Sequence, residues 1–519
     1  MKKILIISAV LLSSFSAFSQ TISCDWGDAF TRDMATDKYR FVCATPSGDE
    51  FYLLRSSASV SDPFVWLEKY SASGQLFSKT VPCNEGVFQN GSSFEEIIPA
   101  KDQFLFFYRG WSKDEKKSTW KVRTCDMNGE YAKDTKELCS HIAKNVNKSG
   151  NYYVCASPDA SLFAVLMTSP KEKDVKEKLL IKVYDSKTLA EKWSKEVGTE
   201  DESGKGSFEI AMDNQSNVYL MKRMADGGKW TYNMYAMSSS ASALKPITMD
   251  LPAECDIETY QFKMTPQGNL FFTGFYTTRK GNVSVGSGAL TGSFCVKVNT
   301  TTQTATCKAN PFTERISGGQ QPLASEMKMK DLIVLPSGSI YLMAEHQKES
   351  ISSKTDQTGK IIYDGELQSN KVIVVCYKND GLRDWEATIN KNQTSRTTER
   401  YPALRWDSYT CGLVGDKLYF VYNNLNLSST WKEMNGSVCS RSSFTNARQC
   451  PFFYVLEANG NLKYGDKMYG LPLYNMLTKT EIQSPAMFPV IGMGTPAGLL
   501  LFCASGDAKQ LEIGKLKVE

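Results

Sequence analysis

The chain carries one pattern of polar and apolar positions eight times: a short turn of Pro, Ser, Asp, Asn or Gly precedes a run of apolar or alternating residues. The eight runs are Phe51–Leu54, Phe104–Tyr108, Leu162–Met167, Val218–Met221, Leu270–Thr273, Ile340–Met343, Leu418–Tyr422 and Leu499–Cys503. Their period-two alternation and their β-branched and aromatic residues predict strands. Because no long segment shows helical periodicity with caps, the chain is predicted to be all-β.

Further strand-like runs flank each of these. In the first unit, Tyr39–Cys43 precedes the run, and Phe64–Tyr70 and Leu76–Val81 follow it as a hairpin. Four antiparallel strands that recur about every fifty to eighty residues are typical of the blades of a β-propeller. We therefore predict a single eight-bladed β-propeller of four-stranded antiparallel blades, which begin near residues 39, 94, 151, 207, 258, 329, 401 and 486.

The last unit has three strand-like runs, Phe488–Gly492, Leu499–Cys503 and Gln510–Leu516, and lacks an outer strand. Thr21–Asp25 lie before the first inner strand and can supply it. An N-terminal strand in this position closes the ring and removes an open sheet edge. The alternative is seven blades with an extra sheet.

The outer hairpins resemble a known repeat. Asp185–Trp193 has the spacing of the D-x-x-T-G-x-x-x-W repeat of quinoprotein-like propellers, a group related in fold to WD40-like repeats, with Leu189 in place of Gly. Gly381–Trp385 keeps the G-x-x-x-W part. The resemblance implies that the Gly position permits the turn and that the Trp packs between neighbouring blades. It covers only this hairpin, so it indicates the fold and implies no quinone or other cofactor.

The first residues are typical of an export signal. Lys2 and Lys3 precede an apolar stretch, Ile4–Leu12, and Ala17–Ser19 forms a cleavage site of small residues. We expect residues 1–19 to be a signal peptide and residues 20–519 to be the propeller, in the periplasm, on the outer surface or secreted from a bacterial cell. A buried N-terminal helix and a lipoprotein anchored at Cys24 are the alternatives. No segment is long enough to span a bilayer as a helix.

Fourteen cysteines in an exported chain predict disulfides. Three local pairs are candidates: Cys439 with Cys450, Cys295 with Cys307, and Cys125 with Cys139. A metal site is not expected, because no C-x-x-C pair occurs and the chain has only two histidines.

The net charge of +4 is small for 519 residues and argues against a nucleic-acid partner. The chain carries no nucleophile elbow, phosphate-binding loop or EF-hand. Enzymatic activity is therefore left open and is the less favoured reading. We expect a monomer without a cofactor.

The connections between the second and third strands of the blades are the long ones, such as Glu345–Asn370 and Asn423–Gln449. In a propeller they emerge on one face, and long loops in compact domains often carry function. Trp and Arg, which are enriched at binding sites, occur near their ends. The candidate binding residues are Arg109, Trp111, Trp120, Arg223, Trp230, Arg279 and Trp431. The alternative is that these residues seal blade edges and loop stems.

The sequence thus predicts an exported, non-enzymatic binding or scaffold propeller. Its partner would be a protein or a polysaccharide of the cell envelope, recognised through the strand 2–3 loops. The alternative is an extracellular enzyme that cleaves a glycan or peptide with carboxylates in the central funnel.

Overall fold

The structure is a computed structural model that describes residues 22–31, 37–57, 65–71, 74–81, 92–143, 149–172, 174–226, 229–278, 288–313, 323–397, 408–425, 440–441, 448–463, 471–472, 486–488, 494–495, 498–504 and 510–518. In these ranges the regular structure is almost entirely strand. The strands form eight antiparallel sheets that follow one another along the chain. The fold is an eight-bladed β-propeller, as the repeat predicts.

Two short strands precede the first sheet, β1 (Ile22–Trp26) and β2 (Phe30–Thr31). Blade 1 comprises β3 (Asp37–Ala44), β4 (Glu50–Ser57), β5 (Val65–Ser71) and β6 (Gly74–Thr80). Blade 2 comprises β7 (Ser92–Pro99), β8 (Gln103–Ser112), β9 (Lys117–Asp126) and β10 (Lys136–Ile142). Blade 3 comprises β11 (Tyr152–Ala156), β12 (Leu162–Thr168), β13 (Lys176–Asp185) and β14 (Glu191–Glu202). Blade 4 comprises β15 (Ser207–Met212), β16 (Val218–Asp226), β17 (Lys229–Met237) and β18 (Lys245–Ile247).

Blade 5 comprises β19 (Cys255–Met264), β20 (Leu270–Thr278), β21 (Gly292–Asn299) and β22 (Thr304–Pro311). After a 3-10 turn, Ala324–Glu326, blade 6 comprises β23 (Met327–Val334), β24 (Ile340–His346), β25 (Lys348–Thr355), β26 (Ile361–Tyr377) and β27 (Arg383–Thr397). Blade 7 comprises β28 (Tyr409–Val414), β29 (Lys417–Leu425), β30 (Ser440–Arg441), β31 (Arg448–Leu456), β32 (Leu462–Lys463) and β33 (Leu471–Pro472). Blade 8 comprises β34 (Ala486–Phe488), β35 (Gly494–Thr495), β36 (Gly498–Ala504) and β37 (Gln510–Val518).

The N-terminal strand closes the ring. β1 pairs antiparallel with β37, with Ile22 opposite Val518 and Trp26 opposite Gly514. The order in this sheet is β1-β37-β36-β34, so β1 is the outermost strand of blade 8. A Cβ atom on Gly514 would lie 2.6 Å from the Trp26 ring and 2.6 Å from the sulfur of Cys24. The first and last described strands therefore meet in one tightly packed sheet, as predicted.

Apolar side chains fill the spaces between adjacent blades. Successive residues of a strand point to opposite faces. The ring centre of Phe51 therefore lies 5.8 Å from that of Phe502 in blade 8. The ring centre of Tyr52 lies 4.8 Å from that of Phe104 in blade 2. The second strand of each blade is sandwiched in this way, which explains why the repeated runs are apolar on both faces. Burial of each such side chain stabilises the fold by about 1.5–3 kcal/mol.

The outer hairpins behave as the resemblance implies. Leu189 occupies the glycine position of the repeat with φ 58°, a left-handed conformation that favours Gly. Trp193 Nε1 donates to Ser216 Oγ of the next blade at 3.3 Å. Trp385 Nε1 donates to the Ala458 carbonyl of its next blade at 2.9 Å. These tryptophans therefore join neighbouring blades.

Cys295 and Cys307 do not form the predicted disulfide, and both thiols are free. Cys295 lies opposite Lys308, whereas Cys307 lies opposite Val296, so the two cysteines are offset by one residue. An offset of one places their side chains on opposite faces of the sheet. Cys295 accordingly packs toward blade 6 and Cys307 toward blade 4.

Cys125 and Cys139 are also free. The residue opposite Cys139 on β9 is Trp120, and Cys125 packs toward blade 1 while Cys139 packs toward blade 3. The spacing in sequence was compatible with a crosslink, but the register of the hairpin separates the two sulfurs. Cys439 and the side chain of Cys450 lie outside the described residues.

Several of the predicted strand 2–3 loops are continuations of the strands. Glu345–Asn370 contains β25 and the first half of β26, which pair with each other. β16 and β17 extend to a connection of residues 227–228. Pairing between the two strands satisfies the backbone N–H and C=O groups of a long connection that has no hydrophobic core beneath it. The elaborated face is thus built largely from extended hairpins.

Candidate functional site

A cavity of about 310 Å³ lies among blades 2, 3 and 4. The first strands of neighbouring blades lie side by side, so this edge of each sheet faces the propeller axis. Three of these strands, β7, β11 and β15, supply most of the wall. The lining residues are Glu95, Glu96, Trp120, Tyr152, Tyr153, Val154, Phe208, Glu209 and Ile210.

The cavity lies toward the face on which the strand 2–3 connections emerge. Because the strands of a blade alternate in direction, the first strand begins at the end where the second strand finishes and the third begins. Tyr152 begins β11, Phe208 is close to the start of β15, and Trp120 is close to the start of β9. The axial pocket, as we call this cavity, is therefore on the face that the loop lengths indicated.

A β-bulge brings two consecutive carboxylates to the axial pocket. In β7, Phe94 lies opposite Tyr108 and Glu96 lies opposite Phe107, so Glu95 is an extra residue without a partner in the register. A bulge of this kind bends the strand and re-aims the neighbouring side chains. It explains how both Glu95 and Glu96 line the cavity, although adjacent residues of a regular strand face opposite ways.

Each of these carboxylates has an arginine partner. Arg109 Nε lies 3.1 Å from Glu95 Oε1, and the Arg109 guanidinium lies 5.4 Å from the centre of the Tyr152 ring. Arg40 Nη2 donates to Glu96 Oε1 at 2.6 Å. The Glu95 and Glu96 side chains are 30% and 36% exposed, so both are accessible from the cavity.

Glu209 forms the opposite wall in a more apolar setting. Burial raises the pKa of Glu209, while a hydrogen bond from Tyr260 and the positive charge of Arg223 act against that rise. The guanidinium of Arg223 stacks on Trp230, 3.7 Å from the ring centre. Glu209 therefore differs from Glu95 and Glu96 in having no ion pair within the described part of the chain.

The aromatic wall is built around Trp120. This residue is 2% exposed. The centres of its ring and of the Tyr152 ring lie 4.5 Å apart in an edge-on arrangement. The Tyr152 hydroxyl is 3.0 Å from Ser118 Oγ and 3.3 Å from His141 Nδ1. Trp120 Nε1 has no hydrogen-bond partner among the described residues. A buried donor without a partner costs about 1–3 kcal/mol.

The structure brings together part of the predicted binding set. Trp120 lines the axial pocket, and Arg109 pairs with one of its carboxylates. Arg223, stacked on Trp230, acts electrostatically on Glu209. Trp111 is opposite Ser118 near the tip of its hairpin and does not line the pocket. Arg279 and Trp431 lie outside the described residues.

Sequence reasoning missed the pocket carboxylates. Glu95 and Glu96 interrupt the first strand of blade 2, and Glu209 stands between Phe208 and Ile210 in the first strand of blade 4. A charged residue within the first strand of a blade is the one sequence signal that could have indicated these carboxylates. The sequence alone gives no reason to associate residues of blades 2 and 4.

Other buried carboxylates are satisfied inside the fold. Glu345 is fully buried and pairs with Lys391 and with Lys330 at 3.0 Å. It also accepts hydrogen bonds from Ser369 at 2.7 Å and Ser408 at 2.8 Å. Although burial opposes ionisation, these partners lower the pKa of Glu345 to about 2. This cluster fixes the loop end of blade 6 and leaves no carboxylate for a ligand.

Similar ion pairs occur in other blades. Lys222 of blade 4 reaches Glu177 at 2.6 Å and Asp201 at 2.7 Å in blade 3. Arg55 pairs with Glu68 at 2.8 Å within blade 1. The carboxylates of the axial pocket are therefore distinguished by their access to a cavity, since buried carboxylates as such are common in this fold.

A comparison with protein-family models and with curated proteins finds no match. Among solved structures, the chain is similar to the β-propeller domain of the Trilobed protease from Pyrococcus furiosus, with a TM-score of 0.32, 9% identity and coverage of 72% of this chain and 98% of that domain. It is similar to polysaccharide lyase Uly1, with a TM-score of 0.36, 9% identity and coverage of 95% and 100%. It is also similar to the WD40 domain of SCAP from fission yeast, with a TM-score of 0.39, 6% identity and coverage of 96% and 94%.

A fold does not by itself select a function. Within the described ranges, no helix is long and apolar enough to cross a membrane. The functional argument therefore rests on the chemistry of the axial pocket.

Proposed function

We propose that this protein is an exported propeller that binds a polysaccharide of the bacterial envelope through the axial pocket. The observation that carries the proposal is the combination of aromatic walls and accessible carboxylates in one cavity. Flat aromatic rings pack against the C–H faces of sugar rings, and carboxylates accept hydrogen bonds from sugar hydroxyls. Cavities of about 300–1,000 Å³ are usual for small ligands, so the volume suits a short segment of a chain.

The position of the pocket supports a polymeric ligand. It lies toward the face that carries the extended hairpins, of which β25 and β26 of blade 6 form the longest described. A polysaccharide seated at the axis would have these hairpins beside it as additional contact surface. The predicted export signal of residues 1–19 would allow an encounter with envelope polymers outside the inner membrane.

A glycan array tests the proposal. Val154 lines the pocket and is half-buried, so Val154→Trp should fill the cavity without replacing a polar contact. The wild-type protein is expected to bind one class of polysaccharide, and Val154→Trp should bind it at least tenfold more weakly. Leu76→Trp, on the exposed outermost strand of blade 1, is the control for an added tryptophan. Equal binding by wild type and Val154→Trp would refute the pocket as the site.

A second candidate function, cleavage of a bound glycan, is favoured by the carboxylates themselves. Glycoside hydrolysis uses one protonated and one ionised carboxyl group on either side of the scissile bond. Glu209 lies in an apolar wall that raises its pKa, while Glu95 and Glu96 stand on another strand with arginine partners. If the protein releases reducing ends from its ligand, Glu209→Gln should abolish that release and preserve binding. Absence of release by the wild type would leave binding as the function.

A further inference from the structure

Arg223 differs from the other arginines whose side chains the structure describes. Each of the others makes an ion pair with a carboxylate or a hydrogen bond to a backbone carbonyl. These are Arg40, Arg55, Arg109, Arg123 and Arg383. Arg223 makes neither within the described part of the chain, and its Nε is buried without an acceptor. Because a guanidinium group carries five N–H donors, Arg223 has donors that the fold does not use.

The ring of Trp230 holds the Arg223 guanidinium in place. The guanidinium carbon lies 3.7 Å from the ring centre, which is a close stacking contact. Stacking on an aromatic ring fixes the plane of a guanidinium group without using its N–H donors, which point outward within that plane. Arg223 is only partly buried, and of its nitrogen atoms Nε alone is both buried and unpaired. The two Nη groups are therefore open to a ligand.

Arg223 stands beside the axial pocket, at the end of blade 4 that carries the strand 2–3 connection. In β16 it lies opposite Ser207, the first residue of β15, and Phe208 and Glu209 of the pocket lining follow directly. Because opposite residues of a ladder share a face and side chains alternate along a strand, Arg223 and Glu209 lie on one face of the blade. The charge of Arg223 acts on Glu209, but the hydrogen-bond partner of that carboxylate is Tyr260. A sugar chain that leaves the pocket along Glu209 therefore meets Arg223 next.

From this geometry, and resting on the proposed polysaccharide-binding function, we infer that the ligand is an acidic polysaccharide and that Arg223 binds the carboxylate of a uronate unit. The two Nη groups lie side by side and match the two oxygen atoms of a carboxylate. Glu95 and Glu96 already have arginine partners, so they accept hydrogen bonds from the hydroxyls of the sugar in the pocket. The anionic group of the ligand is thus directed to the rim and its hydroxyls to the cavity. A neutral chain would leave the Arg223 donors unpaired, and an amino sugar would place a second positive charge against them.

Two substitutions of Arg223 test the assignment. Arg223→Gln removes the charge and the paired Nη groups but keeps a polar side chain, and it should weaken binding of a uronate chain about tenfold or more. Arg223→Lys keeps the charge without the planar fork, so its affinity should fall between those of wild type and Arg223→Gln. Arg123→Gln is the matched control, because Arg123 also lies over an aromatic ring, that of Tyr131, but does not line the pocket. Its affinity should equal that of wild type.

The test measures binding to immobilised polysaccharides at physiological ionic strength. The probes are polygalacturonate and alginate as uronate chains, dextran and mannan as neutral chains, chitosan as a cationic chain, and dextran sulfate as a polyanion without carboxylates. We expect wild type to bind at least one uronate chain, and to bind the neutral, cationic and sulfated chains about tenfold more weakly or less. Thermal melting of each variant checks that the fold is intact.

The outcomes separate the two claims. Binding of no polysaccharide by wild type overturns the proposed function and the inference with it. Binding of a neutral chain alone, abolished by Val154→Trp, preserves the proposed function and overturns the uronate inference. Uronate binding that Arg223→Gln and Arg123→Gln leave equally unchanged overturns the role of Arg223. Equal binding of dextran sulfate and a uronate chain by wild type shows attraction to polyanions in general and overturns the carboxylate assignment.

Discussion

At the scale of single residues, the fold separates carboxylates that stabilise it from carboxylates that face a cavity. Glu345 is enclosed by Lys391, Lys330 and two hydroxyl groups, so all of its acceptor capacity is used internally. Glu209 lines the axial pocket with one hydroxyl partner. Residue type alone does not distinguish these two glutamates; only their neighbours do.

The Glu345 cluster predicts a pH-dependent contribution to stability. The pKa of Glu345 is about 2 in the folded protein against an ordinary value of 4.5. A lowered folded pKa stabilises the protein above about pH 4.5, and that stability is lost as the pH falls toward 2. The contribution is on the order of 3 kcal/mol. Urea unfolding from pH 6 to 2 should show a smaller loss of stability in Glu345→Gln than in wild type.

Glu130→Gln is the control for this experiment, because the Glu130 side chain is 72% exposed. Its stability should follow wild type across the same pH range. Equal acid sensitivity of Glu345→Gln and wild type would contradict the role assigned to the cluster.

The cysteines give a second prediction at this scale. Burial raises the pKa of the Cys125 and Cys139 thiols to about 12, so they should resist alkylation in the native protein. After unfolding without reductant, mass spectrometry should find Cys125, Cys139, Cys295 and Cys307 alkylated. A disulfide-linked peptide that joins either hairpin pair would contradict the register of that hairpin.

At the scale of elements, the strands and their order could be predicted from sequence, whereas register and bulges could not. The apolar runs revealed the second strands because both of their faces are buried between blades. The bulge at Glu95 and the one-residue offset of Cys295 and Cys307 leave no trace in a hydrophobic pattern. Both depend on the partner strand, and both decide where side chains point.

The closure by β1 predicts a sensitive glycine. In Gly514→Ala, the new Cβ would lie 2.6 Å from the sulfur of Cys24 and from the Trp26 ring. Such overpacking should cost about 1–3 kcal/mol and loosen the terminal strand. Chemical denaturation measures the loss, and hydrogen exchange at Ile22–Trp26 should show that it is local.

Gly198→Ala is the matched control, since a Cβ there meets only the Glu177 carbonyl at 4.0 Å. This variant should be close to wild type in stability. Equal stability of Gly514→Ala and Gly198→Ala would argue against tight closure at this sheet.

At the scale of the whole molecule, the repeat predicted the scaffold and one elaborated face, but it did not reveal the axial pocket. The pocket draws Glu95, Trp120, Tyr152 and Glu209 from three blades. In the local sequence, each of these residues looks like an ordinary strand residue. They become neighbours only because eight sheets are arranged around one axis, which no local pattern encodes.

The central claim is that a sugar unit of a polysaccharide occupies the axial pocket between blades 2, 3 and 4. The most direct measurement is a crystal structure of the protein with an oligosaccharide from the polysaccharide that binds. The account predicts sugar density in the axial pocket, against Tyr152 and the carboxylates of Glu95, Glu96 and Glu209. Sugar density confined to the blade 6 hairpin, with the axial pocket free of it, would contradict the account.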